Sequence, residues 1–115
     1  MEQIRISPAT LKGSVTVPPS KSAAHRMLLC AALSNGTQQI GPICHSADID
    51  ATISAIRTLG AKITEKENVF IIKGISPKTL PTKPVTIDCG ESGSTLRFLI
   101  PIVAALGGTF AISPD

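Results

Sequence analysis

The chain has 115 residues, 43% of them hydrophobic and 17% charged, a globular composition too apolar for a disordered segment and the size of one domain or part of one. Its 11 Lys and Arg against 8 Asp and Glu leave a net charge of +3, and three Phe are its only aromatics, so the stacking platforms of nucleic-acid readers are missing and small anions suit it better. Cys30, Cys44 and Cys89 form no CxxC spacing, which argues against disulfides and zinc, and the apolar run from Phe98 to Leu106 is far below the roughly 20 residues of a membrane span.

Met1-Glu2-Gln3-Ile4-Arg5 does not open like a secretory leader, and a soluble, cytoplasmic protein with no membrane partner is expected. Ile4 alternating with Ile6, and Val15 with Val17, predict two short strands on either side of Lys12-Gly13. Pro18-Pro19 stops the second. Ser20 then caps a helix from Lys21 to about Ser34, with Asn35-Gly36 as its left-handed end. The stretch from Met27 to Leu33 is apolar nearly all round, so this helix is expected to be buried against a sheet.

Gln39 to Ile43 reads as a strand, and Ser46 followed by Asp48 and Asp50 as a helix start whose acids suit the dipole. Ile49, Ile53, Ile56 and Leu59 make one apolar face, and Gly60 ends it. Ala61 to Thr64 and Val69 to Lys73 predict a hairpin around Glu65-Lys66-Glu67-Asn68. Pro77, Pro81 and Pro84 mark a polar connection, Val85-Thr86-Ile87 a strand, and Gly93 to about Leu106 a helix with Pro101 as a candidate kink.

Ala31-Ala32-Leu33-Ser34-Asn35-Gly36-Thr37 with Ile40 looks like Ala104-Ala105-Leu106-Gly107-Gly108-Thr109 with Ile112, the two threonines standing 72 positions apart. That offset is the length of one strand-helix-strand-helix-strand-strand unit. The expected fold class is α/β, built from repeated βαβαββ units, one complete and a second begun.

Two strand-to-helix turns carry the chemistry. In Pro18-Pro19-Ser20-Lys21-Ser22-Ala23-Ala24-His25-Arg26, a helix start offers free amides, two hydroxyls, an ammonium and, one turn along, the guanidinium of Arg26. In Asp88-Cys89-Gly90-Glu91-Ser92-Gly93-Ser94-Thr95-Leu96-Arg97, two glycines allow an anion nest with Ser92, Ser94 and Thr95 as hydroxyl donors and Arg97 beyond. The plain alternative is that Ser20 and Ser92 only cap and the cations are solvated. His25 and His45 have no partner at metal spacing and read as structural or exposed. Cys30 and Cys89 read as small buried hydrophobes, and Asp48 and Asp50 as helix-start electrostatics.

At these two turns the sequence resembles the 5-enolpyruvylshikimate-3-phosphate synthase family of the shikimate pathway. Pro19-Ser20-Lys21-Ser22 with His25-Arg26 looks like one signature of that family, and Gly90-Glu91-Ser92-Gly93-Ser94-Thr95-Leu96-Arg97 like a second, with Glu91 where many members have Asn and Phe98 where many have Pro. The helix ending in Ile56-Arg57-Thr58-Leu59-Gly60-Ala61 is similar to the segment between them. The resemblance implies an amino-terminal piece of a two-domain inside-out α/β barrel, with residues 1–18 as strands and a hinge and residues 19–115 as part of a substrate-binding domain.

It further implies transfer of the enolpyruvyl group of phosphoenolpyruvate to the 5-hydroxyl of shikimate 3-phosphate, with phosphate released and neither metal nor organic cofactor. By position, Lys21 would touch both substrates and act catalytically, Ser22 and Arg26 would hold shikimate 3-phosphate, and Gly93 with Arg97 would sit near phosphoenolpyruvate. The remaining partner is the rest of the same polypeptide, which is expected to be a monomer when complete. Two alternatives stay open: a related transferase acting on a nucleotide sugar, disfavoured by Ser22 following Lys21, and a non-enzymatic anion- or RNA-binding module.

Overall fold

Each helix begins where a serine precedes an apolar run. In the computed structural model, which describes residues 2–114, Ser20, Ser46 and Ser92 stand in extended backbone, each accepting on its side-chain oxygen an amide three residues on. The helices they open are α1 (Lys21–Leu33), α2 (Ala47–Thr58) and α3 (Gly93–Leu106). The strands are β1 (Thr37–Ile40), β2 (Lys62–Lys66), β3 (Val69–Lys73), β4 (Val85–Asp88) and β5 (Phe110–Ser113).

An antiparallel sheet of order β1-β3-β2 and a parallel pair β4-β5 result. The alternation of β3 turns Phe70 and Ile72 inward, where they meet Leu28 and Leu29 of α1 and Ile49, Ile53 and Ile56 of α2 in one apolar core. Ile87 of β4 and Leu99 of α3 extend that core to the second sheet. The α/β alternation and the expected second strand-helix-strand are both present, and β5 follows α3 as β1 follows α1. Among the described residues no helix is long and apolar enough to cross a membrane.

Four expectations are corrected. The strands at Ile4-Ile6 and Val15-Val17 do not form: residues 2–20 carry no regular element, and Ile4, Leu11, Val15 and Val17 are 87%, 95%, 88% and 75% exposed. An alternating segment becomes a strand only when it pairs with another, and this one pairs with none of the described strands. The first strand ends at Ile40 rather than Ile43, because Pro42 cannot donate to a ladder; Ile43 is still buried, its amide donating to the Asn68 carbonyl at 3.0 Å.

The hairpin is tighter than expected. Strands run to Lys66 and from Val69, leaving a two-residue turn in which Glu67 and Asn68 both take positive φ, 51° and 63°, as a type I′ turn demands. Finally, α1 is buried on one side only: Met27, Cys30 and Leu33 form an exposed strip beside the free edge of β1. Cys30 is thus not the buried hydrophobe that its apolar neighbours suggest, whereas Cys89 is.

Candidate functional site: two helix starts on one ladder

The first turn is held by its own serine. Ser20 Oγ accepts the Ala23 amide at 3.2 Å and its carbonyl the Ala24 amide at 3.0 Å. The Lys21 and Ser22 amides are left without a partner among the described residues, at the positive end of the helix. Lys21, Ser22 and Arg26 are all exposed. Beside them lies a cleft of about 230 Å³ lined by Pro18, Pro19, Ser20, Lys21, Ala24, Cys44, His45 and Ser46. A larger groove of about 360 Å³ runs past Met27, Cys30 and Ile40; it carries no charged group, so the smaller cleft is the one that suits an anion.

The second turn is partly closed on itself. Asp88 Oδ1 accepts the Gly90 amide at 2.8 Å and the Cys89 carbonyl accepts the Ser92 amide at 3.0 Å. Ser92 Oγ takes the Thr95 amide at 3.2 Å. The expected nest therefore narrows to the Glu91 amide in the loop and two at the helix start, those of Gly93 and Ser94, which have no partner among the described residues. The latter two occupy the same first two helical positions that are free in α1. A side chain at Gly93 would meet no heavy atom within 4 Å, so packing does not require glycine there. Arg97 is exposed one turn along. Burial, and secondarily Asp88, raises the Cys89 thiol above its ordinary value, which keeps it protonated.

What joins the turns is α2. Lys21 Nζ donates to Asp48 Oδ2 at 2.6 Å, and that bond holds the Asp48 carboxyl below the usual range. One turn further along both helices, His25 Nδ1 is 2.7 Å from Thr52 Oγ1, and Thr52 Oγ1 is 2.8 Å from Thr95 Oγ1 of α3. The spacing of four residues in each helix stacks these contacts as rungs. Asp48 thus does more than favour a helix dipole: it aims the ammonium. The sequence carried that signal in the matched spacings Lys21/His25 and Asp48/Thr52, which are visible only once the two helices are paired.

His45 is a second feature that spacing alone missed. Its Nδ1 lies 2.5 Å from Asp50 Oδ1 and its Nε2 2.8 Å from both Glu65 oxygens, while its ring meets Phe70 edge-on at 5.5 Å. The Asp50 and then the Glu65 hydrogen bonds raise its pKa. Loop, helix and strand are cross-linked there by one imidazole.

The model of the family described as EPSP synthase (3-phosphoshikimate 1-carboxyvinyltransferase) matches residues 6–114. The chain belongs to the EPSP synthase family. A 3-phosphoshikimate 1-carboxyvinyltransferase of Clostridium beijerinckii is 50% identical over 113 residues, covering 94% of this chain and 26% of the relative. One of Clostridioides difficile is 48% identical over 116 residues, again 94% of this chain and 26% of the relative. An EPSP synthase structure from Acinetobacter baumannii superposes with a TM-score of 0.64 at 31% identity, covering 76% of this chain and 20% of that one. The chain therefore spans about a quarter of the length of these family members.

Proposed function

We propose that this chain is the amino-terminal part of an enolpyruvyl transferase that moves the enolpyruvyl group of phosphoenolpyruvate to the 5-hydroxyl of shikimate 3-phosphate. The hydroxyl oxygen loses its proton and bonds to the carbon bearing the phosphate ester while the methylene carbon gains a proton, giving a tetrahedral intermediate; the carbon–oxygen bond to phosphate then breaks as the new methyl carbon gives up a proton and the double bond is restored. The observation that carries this reading is the pair of helix starts, each with two free amides beside a cation, anchored on the same face of α2. Two anionic substrates need two such cradles, and fixed amides and cations stabilise the negative charge that leaves with phosphate.

In this reading Lys21 contacts both substrates, Ser22 and Arg26 hold the shikimate phosphate or carboxylate, and the Gly93 backbone with Arg97 approaches phosphoenolpyruvate. The open space over Gly93 supports a close backbone approach. Residues 1–18 act as a hinge segment and residues 19–115 as part of the substrate-binding domain. The complete protein is a cytoplasmic monomer acting without nucleic acid or membrane.

The test is phosphate release from the two substrates by the complete polypeptide. Lys21→Ala is expected to lower turnover by on the order of 10²–10³ while costing under about 1 kcal/mol of stability, because the side chain is half exposed. Arg26→Lys is expected to weaken shikimate 3-phosphate binding, since an ammonium lacks the planar fork. Unchanged turnover in a folded Lys21→Ala protein would remove the assignment. A nucleotide sugar serving as the better acceptor would replace it with the related transferase.

A further inference from the structure

Four polar side chains lie buried in a row between the two turns. His25 Nδ1 is 2.7 Å from Thr52 Oγ1, Thr52 Oγ1 is 2.8 Å from Thr95 Oγ1, and Thr95 Oγ1 is 2.6 Å from Ser92 Oγ. In that order along the row the residues are 3%, 0%, 1% and 4% exposed. The row starts on α1, crosses α2 and ends at the cap of α3. His25 Nε2 is buried and has no partner among the described residues. Burial pushes the imidazole below its ordinary pKa, with Lys21 also lowering it and Asp48 opposing, so the ring is neutral in slightly alkaline buffer.

A neutral imidazole carries one N–H and each hydroxyl one O–H, which makes four protons for three links. One proton is always left over, and its place fixes the direction of the row. Ser92 Oγ accepts the Thr95 amide, and unless an anion takes it the Ser92 hydrogen is available to Thr95 Oγ1. Every link can then run from Ser92 towards the ring, ending on Nδ1 as acceptor with the ring proton on Nε2. If Ser92 instead turns its hydrogen out to an anion, Thr95 must donate to Ser92, Thr52 to Thr95 and His25 to Thr52. The ring proton then sits on Nδ1, and Nε2 becomes a bare acceptor one helical turn from Lys21.

We propose that this row couples the two turns, and that His25 is a positioning residue whose tautomer is set by whether an anion occupies the Gly90–Ser94 turn. The proposal rests on reading that turn as an anion site. Coupling of this kind is reciprocal: whatever favours the Nδ1–H form of His25 strengthens anion binding at the second turn by the same factor.

The experiment is a titration of the 15N-labelled chain with inorganic phosphate at pH 7.5, recording backbone amides and long-range proton–nitrogen correlations of the His25 ring together. The expected result is that the Gly93 and Ser94 amides shift and the ring proton moves from Nε2 to Nδ1 with the same midpoint. Amides that shift while the tautomer stays fixed, or a ring already wholly Nδ1–H without phosphate, overturn the coupling and leave the anion site standing. Second-turn amides that do not respond remove the anion site and the coupling with it. Thr52→Val interrupts the row and is expected to abolish the tautomer response while the amide shifts persist; Thr52→Ser is expected to restore it. A Thr52→Val protein that keeps the response shows that phosphate acts on the ring directly and overturns the proposal. Should that variant not fold, the titrations of the unaltered chain and of Thr52→Ser carry the test.

Discussion

Lys21 and His45 are both tied to carboxylates, yet the two arrangements serve different ends. Exposed ion pairs add little to stability, so the Lys21–Asp48 bond matters for where it holds the ammonium. Asp48 titrates below its ordinary value because Lys21 donates to it, so its contribution is fully present above the ordinary value and is lost as pH falls through the lowered, folded one. His45 works in the opposite sense. Its folded pKa is raised above 6.5 by Asp50 and Glu65, so its contribution is fully present below pH 6.5 and fades as pH rises through the folded value. His25, lowered by burial, contributes above 6.5 and loses that contribution in acid, which masks the trend in the unaltered chain. The difference in thermal midpoint between the chain and its His45→Gln variant isolates His45: it is expected to be larger at pH 6 than at pH 8.5. A difference that grows with pH would show that the His45 bridge does not form in solution.

Among the elements, two glycines let the backbone at an element's end come close to a neighbouring segment. A Cβ at Gly60, where φ is +112°, would lie 2.3 Å from the Thr79 carbonyl oxygen, and one at Gly74 would lie 2.0 Å from that of Ser34. Backbone cannot retreat as a flexible side chain would, so Gly60→Ala and Gly74→Ala are each expected to cost on the order of 2–3 kcal/mol or more. That is a fall of roughly 10 °C in thermal midpoint, while Gly93→Ala, facing open space, should leave the midpoint nearly unchanged. Calorimetry on the three variants checks the ranking. Gly60 was legible beforehand as a helix stop; Gly74 was not, because its requirement comes from the end of α1, forty positions earlier. The same contrast holds across the fold. Ser20, Ser46 and Ser92 could be read as caps because capping is local, and the face of Ile49, Ile53 and Ile56 because periodicity is local. Glu67-Asn68 was hidden because it is not the Asn-Gly pair that announces a two-residue turn. Thr52 and Thr95 looked like ordinary helix residues until three helices brought them together.

In the whole molecule, the radius of gyration is 17.4 Å against about 13 Å for a compact chain of this size, and the extended residues 2–19 account for the excess. Their apolar pattern was legible, but whether it forms strands depends on a partner that no local rule supplies. Trypsin is expected to cut first after Arg5 and Lys12, leaving a product whose thermal midpoint matches that of the intact chain; a lower midpoint would show that the segment packs on the rest. The 115-residue chain is also expected to release no phosphate from shikimate 3-phosphate and phosphoenolpyruvate. Asp48 is engaged by Lys21, Asp50 and Glu65 by His45, and Asp88 by the Gly90 amide; Glu91 in the second turn would set a negative charge against a phosphate, and the cleft beside Lys21 is open to water. Turnover by this chain alone would refute that. The sheet order β1-β3-β2 has a consequence in time as well as in space. The β2–β3 pair closes through two residues, a step of about 1–10 µs, whereas β1 can join it only after the chain has looped through the whole of α2, and β4 can meet β5 only after α3 has crossed over. On refolding, amides of the hairpin should gain protection from solvent exchange before those of either other strand pair, which makes β3 the seam on which the three-stranded sheet assembles.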